Sequence, residues 1–195
     1  MLAFGGKLSQ KVFDMPDLPE NVVSLSDMQP SGPPAWSVQL EHIYISAGHD
    51  YYGRHGAGRL QHGIKRVDRV EVVRGMGLKG DRYFGEKPGG KDQVTFFDGA
   101  VVDEIRKRFR LKHLPASVFR RNLIVRGADL SEWLGRRFVL QGVEFEGAQE
   151  CTPCVWMDRA VAPGVQNFLR ESFRGGLRAK VLTDGVLKCG SSRQA

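Results

Sequence analysis

The chain has 195 residues, with 29 basic side chains against 22 acidic ones and a formal net charge of +7. Its 41% hydrophobic and 26% charged residues exclude collagen-like, mucin-like and wholly disordered chains and suffice for one real core. No apolar run reaches the roughly 18–20 residues that a membrane-spanning helix needs, and Met1 to Gln10 lacks the pattern of a secretory leader.

The three cysteines, Cys151, Cys154 and Cys189, are too few and too odd in number for a disulfide framework. They predict a reducing, cytoplasmic setting. The basic charge fits a basic soluble surface or a phosphate-bearing partner. No zinc-finger spacing, basic helix or aromatic RNA-binding pattern accompanies it, so nucleic acid is not the expected partner. A small anionic ligand needs only a few arginines and suits the scatter better.

Residues 1–37 hold most of the prolines, in Met15-Pro16-Asp17-Leu18-Pro19 and Gln29-Pro30-Ser31-Gly32-Pro33-Pro34. They read as a proline-rich arm. The body spans 38–195. Val38 to Ile45 alternates apolar and polar residues and predicts a half-buried strand. Val67 to Val73 predicts a second, and Gln93 to Phe97 a third. Asp98 stands as the N-cap of a helix over Ala100–Arg110, with Val101, Val102, Ile105 and Phe109 as its stripe. Further strands are predicted at Asn122–Val125, Arg137–Leu140 and Val143–Phe145, with a tight turn at Gln141-Gly142. One helical turn is read at Asp129–Leu134, and a helix at Pro163–Phe173. Leu177–Leu182 and Val186–Lys188 flank Thr183-Asp184-Gly185, which signals a hairpin. Many short strands with sparse helices predict a mainly β fold, a closed or half-closed β-barrel.

Five segments could carry chemistry. In Glu150-Cys151-Thr152-Pro153-Cys154, two thiols three positions apart can meet one metal or form a redox pair. A structural zinc site lacks its other two ligands. From spacing alone, two ordinary buried thiols and one reactive or metal-binding cysteine stand level. Gly75-Met76-Gly77-Leu78-Lys79-Gly80-Asp81-Arg82-Tyr83 is glycine-rich, but it lacks the Gly-Lys-Ser/Thr ending of a phosphate loop, and a turn is its default. In Phe119-Arg120-Arg121-Asn122, strand alternation puts Arg120 and Asn122 on one face and Arg121 on the other. Phe173-Arg174-Gly175-Gly176-Leu177-Arg178 reads as a helix stop, with Arg174 and Arg178 able to grip an anion. His49 sits in a loop that could line a pocket.

In this order, these pieces resemble the MOSC domain family, named for the C-terminal domain of molybdenum cofactor sulfurases. The resemblance runs from about Leu40 to Gly190. It rests on Gly77-Leu78-Lys79-Gly80-Asp81-Arg82, Arg120-Arg121-Asn122-Leu123, Gly127-Ala128-Asp129-Leu130, Leu134-Gly135-Arg136-Arg137-Phe138, Cys151-Thr152-Pro153-Cys154 and Gly175-Gly176-Leu177-Arg178-Ala179. The chain is similar to the short, stand-alone bacterial branch.

The resemblance implies a MOSC-type β-barrel with a pocket for a molybdenum cofactor (molybdopterin) or a sulfur-bearing anion. The family's key cysteine follows the proline and corresponds to Cys154, with Cys151 secondary. In members that reduce N-hydroxylated compounds that cysteine ligates molybdenum; in others it is proposed to carry sulfur as a persulfide. The family's cofactor-binding arginine corresponds to Arg120, with Asn122 beside it. Arg174, Arg178, Asp81 and Arg82 are further expected cofactor-binding residues, and Arg120, Asn122, Arg174 and Arg178 are expected to face a common cavity near the cysteines. A redox or sulfur-donor protein is an expected partner. Pyridoxal phosphate binding is a further association of the family. The alternative is a non-catalytic module that holds or delivers a cofactor or another anion. The larger reductases carry an N-terminal β extension where this chain has a short arm.

Overall fold

The computed structural model describes residues 38–51 and 58–191. The proline-rich arm lies outside the described residues. Among the described residues the backbone is mainly β, with three short α-helices and two sheets.

The first sheet begins with β1 (Gln39–Ile45), where a register shift between Leu40 and His42 interrupts the alternation and puts both Leu40 and Ile43 in the core. β1 pairs antiparallel with β6 (Leu123–Arg126) on one side, and with β2 (Lys65–Val67) and β11 (Gly190–Ser191) on the other. β5 (Val94–Asp98) lies next to β6 and runs parallel to it. A parallel pair needs a crossover, and α1 (Gly99–Arg108) lies within it. Asp98 caps α1, accepting a hydrogen bond from the Ala100 N–H at 2.8 Å. The sheet continues through β9 (Leu177–Val181), β8 (Val143–Glu150) and β7 (Arg137–Leu140). β7 and β8 form a hairpin whose turn uses positive φ at Gln141 and Gly142.

The second sheet contains β3 (Arg69–Val73), flanked by β4 (Gly77–Leu78) and β10 (Gly185–Lys188). Its Val70, Val72, Leu78 and Leu187 share one core with Phe96, Phe138 and Phe145 of the large sheet. On the opposite face of the large sheet, Phe97 and Ile124 join Val102 and Ile105 of α1. That second core also takes Met157 of α2 (Trp156–Ala160) and Phe168 and Leu169 of α3 (Val165–Arg170). Neighbours Phe96 and Phe97 therefore serve opposite faces, as pleating requires.

Several expectations are corrected. Among the described residues the large sheet does not close into a barrel; it ends at β7 on one side and at β2 and β11 on the other. The strands that could have bridged the gap pair with one another and cover the core as a separate layer. The predicted strand over 67–73 breaks at Asp68, and its two parts join different sheets. Thr183-Asp184-Gly185 does not make a hairpin, because β9 stays in the large sheet and β10 crosses to the small one. The Asp184 carboxylate accepts from the Arg74 N–H at 2.6 Å, and Thr183 Oγ1 from the Glu144 N–H at 2.9 Å. These tertiary bonds outcompete the local turn. The predicted helix over 163–173 is only α3, and α2 was not foreseen. No helix among the described residues is long and apolar enough to cross a membrane.

Candidate functional site

The loop after β1, the approach to β6, Thr95 of β5, Arg178 of β9 and the segment after β8 converge on the large sheet. A cavity of about 370 Å³ opens there, within the range of small-molecule sites, which start at roughly 300 Å³. Arg82, Arg120, Arg121 and Arg178 line it together with Asp50 and Asp92. Both Cys151 and Cys154 face it, as do His49, Tyr51, Tyr83 and Trp156.

Cys151 follows β8 and is buried, its N–H bonded to the Gly176 carbonyl at 2.7 Å. Cys154 is exposed at the mouth. From 151 to 154 burial alternates and no turn forms. The segment is thus an extended run carrying one inner and one outer thiol. The backbone carbonyl of Cys154 accepts from the Met157 N–H at 2.9 Å as the chain turns into α2. Glycines shape the inner wall. A Cβ on Gly175 would strike the Cys151 carbonyl, and Gly176 adopts a φ of +92° against the Phe96 carbonyl.

Arg120 does not lie on a strand. It ends a 3₁₀ turn over Ala116–Phe119 with φ 54°, and β6 starts only at Leu123. Its guanidinium turns inward. Nη1 donates to Asp50 Oδ2 at 2.7 Å, and Nη2 donates to Ser46 Oγ at 3.0 Å and the Gly48 carbonyl at 2.7 Å. Asp50 is fully buried and also accepts from Arg59 Nε and the His62 N–H. Burial alone pushes the Asp50 carboxyl up, but the His62 N–H, Arg120 and Arg59 outweigh it and hold the group below the usual carboxylate range. Burial and the nearby Arg82 lower the Arg120 pKa, and Asp50 opposes them.

Asp81 accepts from the Ser46 and Tyr83 N–H groups and pairs with Arg82 at 3.3 Å. Arg82 also donates to the Arg120 carbonyl and lies 4.6 Å from the Tyr83 ring centroid. Arg178, on β9, pairs with Asp92 at 2.8 Å. Burial lowers its pKa, but the Asp92 bond and the nearby Cys151 and Asp92 charges raise it overall. His49 packs edge-on to Tyr83 at 4.9 Å; burial and Arg82 lower its pKa.

The structure thus brings Cys154, Arg82, Arg120 and Arg178 to one cavity, with Asp81 behind Arg82. Asn122 does not line it. Asn122 is buried and bonded to Thr95 and Tyr44. Arg174 stands apart. It lines a second cavity near the start of α1 and is paired with Glu104 and Glu171. The expectation that all four of Arg120, Asn122, Arg174 and Arg178 share one cavity is therefore corrected. Asp50, Asp92, Tyr51 and Trp156 were missed. Tyr51 and Trp156 meet at 4.6 Å across more than a hundred residues. Asp50 carried one legible sign: it neighbours His49 in the loop already singled out.

A family model described as "MOSC domain" matches residues 79–192. The structure of YuaD from Bacillus subtilis is similar, at 17% identity and a TM-score of 0.60, covering 78% of this chain and 92% of that one. YiiM from Geobacillus stearothermophilus is similar at 15% identity and a TM-score of 0.56, covering 79% and 72%. YiiM from Escherichia coli follows at 16% and 0.51, covering 80% and 72%. No curated protein matches the chain. At these identities the solved structures speak for the fold alone.

Proposed function

Because the chain belongs to the MOSC domain family, a family generally linked to molybdenum-cofactor binding and sulfurase-related roles, we propose that its cavity binds a molybdopterin-type cofactor or a sulfur-bearing anion, with Cys154 as the working thiol. The observation that carries this reading is one cavity that, among the described residues, joins an exposed thiol to four arginines and only two aspartates.

The donor set fits such a group. A soft thiolate suits molybdenum or sulfane sulfur, and an excess of guanidinium suits an anionic phosphate. Arg82, Arg121 and Arg178 hold the anionic end, and Tyr51, Tyr83 and Trp156 offer flat faces for a ring system. Cys154 offers its sulfur at the mouth, where a protein donor can reach it. When bound, a molybdenum centre supplies the redox chemistry for reducing N-hydroxylated compounds. In the carrier reading the Cys154 thiolate attacks the outer sulfur of a persulfide donor. The donor's S–S bond breaks, the donor leaves as a thiolate, and Cys154 keeps the sulfur as a persulfide. Pyridoxal phosphate fits less well, since no lysine among the described residues lines the cavity to form an imine.

The test is molybdenum, pterin and persulfide quantification on freshly purified protein and on Cys151→Ser, Cys154→Ser and Cys189→Ser. Loss confined to Cys154→Ser supports the reading. Loss confined to Cys151→Ser assigns the chemistry to the inner sulfur. Cofactor retained equally in all three points to a module that holds or delivers its ligand without cysteine chemistry.

A further inference from the structure

Among the described residues four arginines line the cavity, and three of them are already matched. Arg82 pairs with Asp81, Arg120 with Asp50 and Arg178 with Asp92. Arg121 has no carboxylate partner among the described residues. Its Nε donates to the Gly175 carbonyl at 3.1 Å, and its Nη1 to the Phe119 carbonyl at 3.1 Å. Both acceptors are neutral, so they orient the guanidinium without cancelling its charge. Nη2 makes no hydrogen bond among the described residues. Arg120 is the reverse case. It is 9% exposed, and both its terminal nitrogens are engaged with Asp50, Ser46 and Gly48.

We infer that Arg121, not Arg120, is the principal anion anchor of this cavity, and that it takes a phosphate-class oxyanion. Arg120 acts behind it as a strut that joins the 46–50 loop to the cavity floor. An oxyanion that reaches Arg121 displaces no carboxylate, whereas one that takes Arg120 must break a buried ion pair, which is strongly unfavourable. The Gly175 carbonyl that fixes Arg121 belongs to the glycine pair packed on Cys151. The anchor and the inner thiol are thus held by the same turn. This inference rests on the proposed function for its ligand class, though not for its geometry.

The experiment is titration of the full chain with inorganic phosphate at low ionic strength, followed calorimetrically, alongside thermal melts. Arg121→Gln should weaken phosphate binding at least about tenfold, the scale of a lost charge-assisted bond, with a melting temperature close to wild type. Arg121→Lys should recover part of it, since a lysine restores the charge but not the fork. Unchanged affinity in Arg121→Gln, or no phosphate binding by the wild type, overturns the inference. So does a larger loss of affinity in Arg178→Gln or Arg82→Gln than in Arg121→Gln. Cofactor analysis separates the two claims. Phosphate held through Arg121 in a protein that never carries molybdenum, pterin or persulfide sinks the proposed function and leaves the anchor standing. Cofactor retained undiminished in Arg121→Gln sinks the anchor and leaves the proposed function standing.

Discussion

Thr95 and Asn122 bond each other three times across β5 and the entrance to β6. The Thr95 N–H and hydroxyl both donate to Asn122 Oδ1, at 3.1 and 2.9 Å, and the Asn122 N–H returns to Thr95 Oγ1 at 2.9 Å. Asn122 Nδ2 then donates to the Tyr44 carbonyl at 3.1 Å. One amide therefore ties together three adjacent strands, just where the parallel pair begins.

This makes Asn122 a bracket for the cavity floor. Asn122→Ala strands the Thr95 donors and the Tyr44 carbonyl in a buried site. It should cost about 2–4 kcal/mol, the sum of lost bonds and unsatisfied groups. Urea unfolding measures it. Alkylation of Cys154 in the folded variant should proceed at the wild-type rate, because the amide does not reach the cavity.

The Asp50–Arg120 pair predicts a larger loss with a defined pH dependence. Asp50→Ala leaves Arg120 buried without its counter-ion and should destabilise by about 3–5 kcal/mol near neutral pH. The folded Asp50 carboxyl lies below its unfolded value. On acidification the unfolded chain therefore takes up the proton first. The stabilisation is complete above the unfolded carboxylate value of about 4 and drains away as pH falls through the folded one. The stability gap between wild type and Asp50→Asn should accordingly narrow as pH drops below about 4. Denaturant midpoints across that range check it, and a gap that widens in acid contradicts it.

The three thiols should separate by reactivity. Cys154 is exposed, Cys189 is half-buried with its sulfur 3.5 Å from the Val67 carbonyl, and Cys151 is 2% exposed. A soluble alkylating reagent should modify Cys154 first and Cys151 last in the native protein. Peptide mass mapping at short times reads the order. Early modification of Cys151 would mean that the inner wall of the cavity opens in solution.

What was legible in the sequence followed the range of the forces involved. Strand alternation and the Asp98 cap are local, so β1, β5, β7, α1 and the Gln141-Gly142 turn could be read directly. The cysteine segment and Arg178 were also placed in the site, on a resemblance that the family match bears out. The failures were tertiary. Thr183-Asp184-Gly185 has hairpin chemistry, but Arg74 and Glu144 claim its side chains. Arg120 and Asn122 were read on strand alternation, yet the left-handed φ of Arg120 lies before the strand and sends its side chain inward. Asp50 was invisible as a hub because its partners Arg59, His62 and Arg120 converge only on folding.

The last prediction concerns Gly175, where three parts of the site meet. Its carbonyl orients Arg121, a Cβ at its position would meet the Cys151 carbonyl and Pro153, and its neighbour Gly176 accepts from the Cys151 N–H. Its φ is not in the left-handed region, so an alanine here meets a steric obstacle with no added backbone strain. The obstacle is backbone, which cannot swing away as a side chain would. Gly175→Ala must therefore push the 175–176 turn off the 151–153 segment, at a cost of about 1–3 kcal/mol, the usual range for overpacking. That displacement moves the carbonyl that aims Arg121 and uncovers Cys151. Two readouts should change together: alkylation of Cys151 speeds up, and phosphate affinity falls toward that of Arg121→Gln. A variant that loses stability yet keeps both Cys151 protection and phosphate affinity would show that the turn does not couple the inner thiol to the arginine.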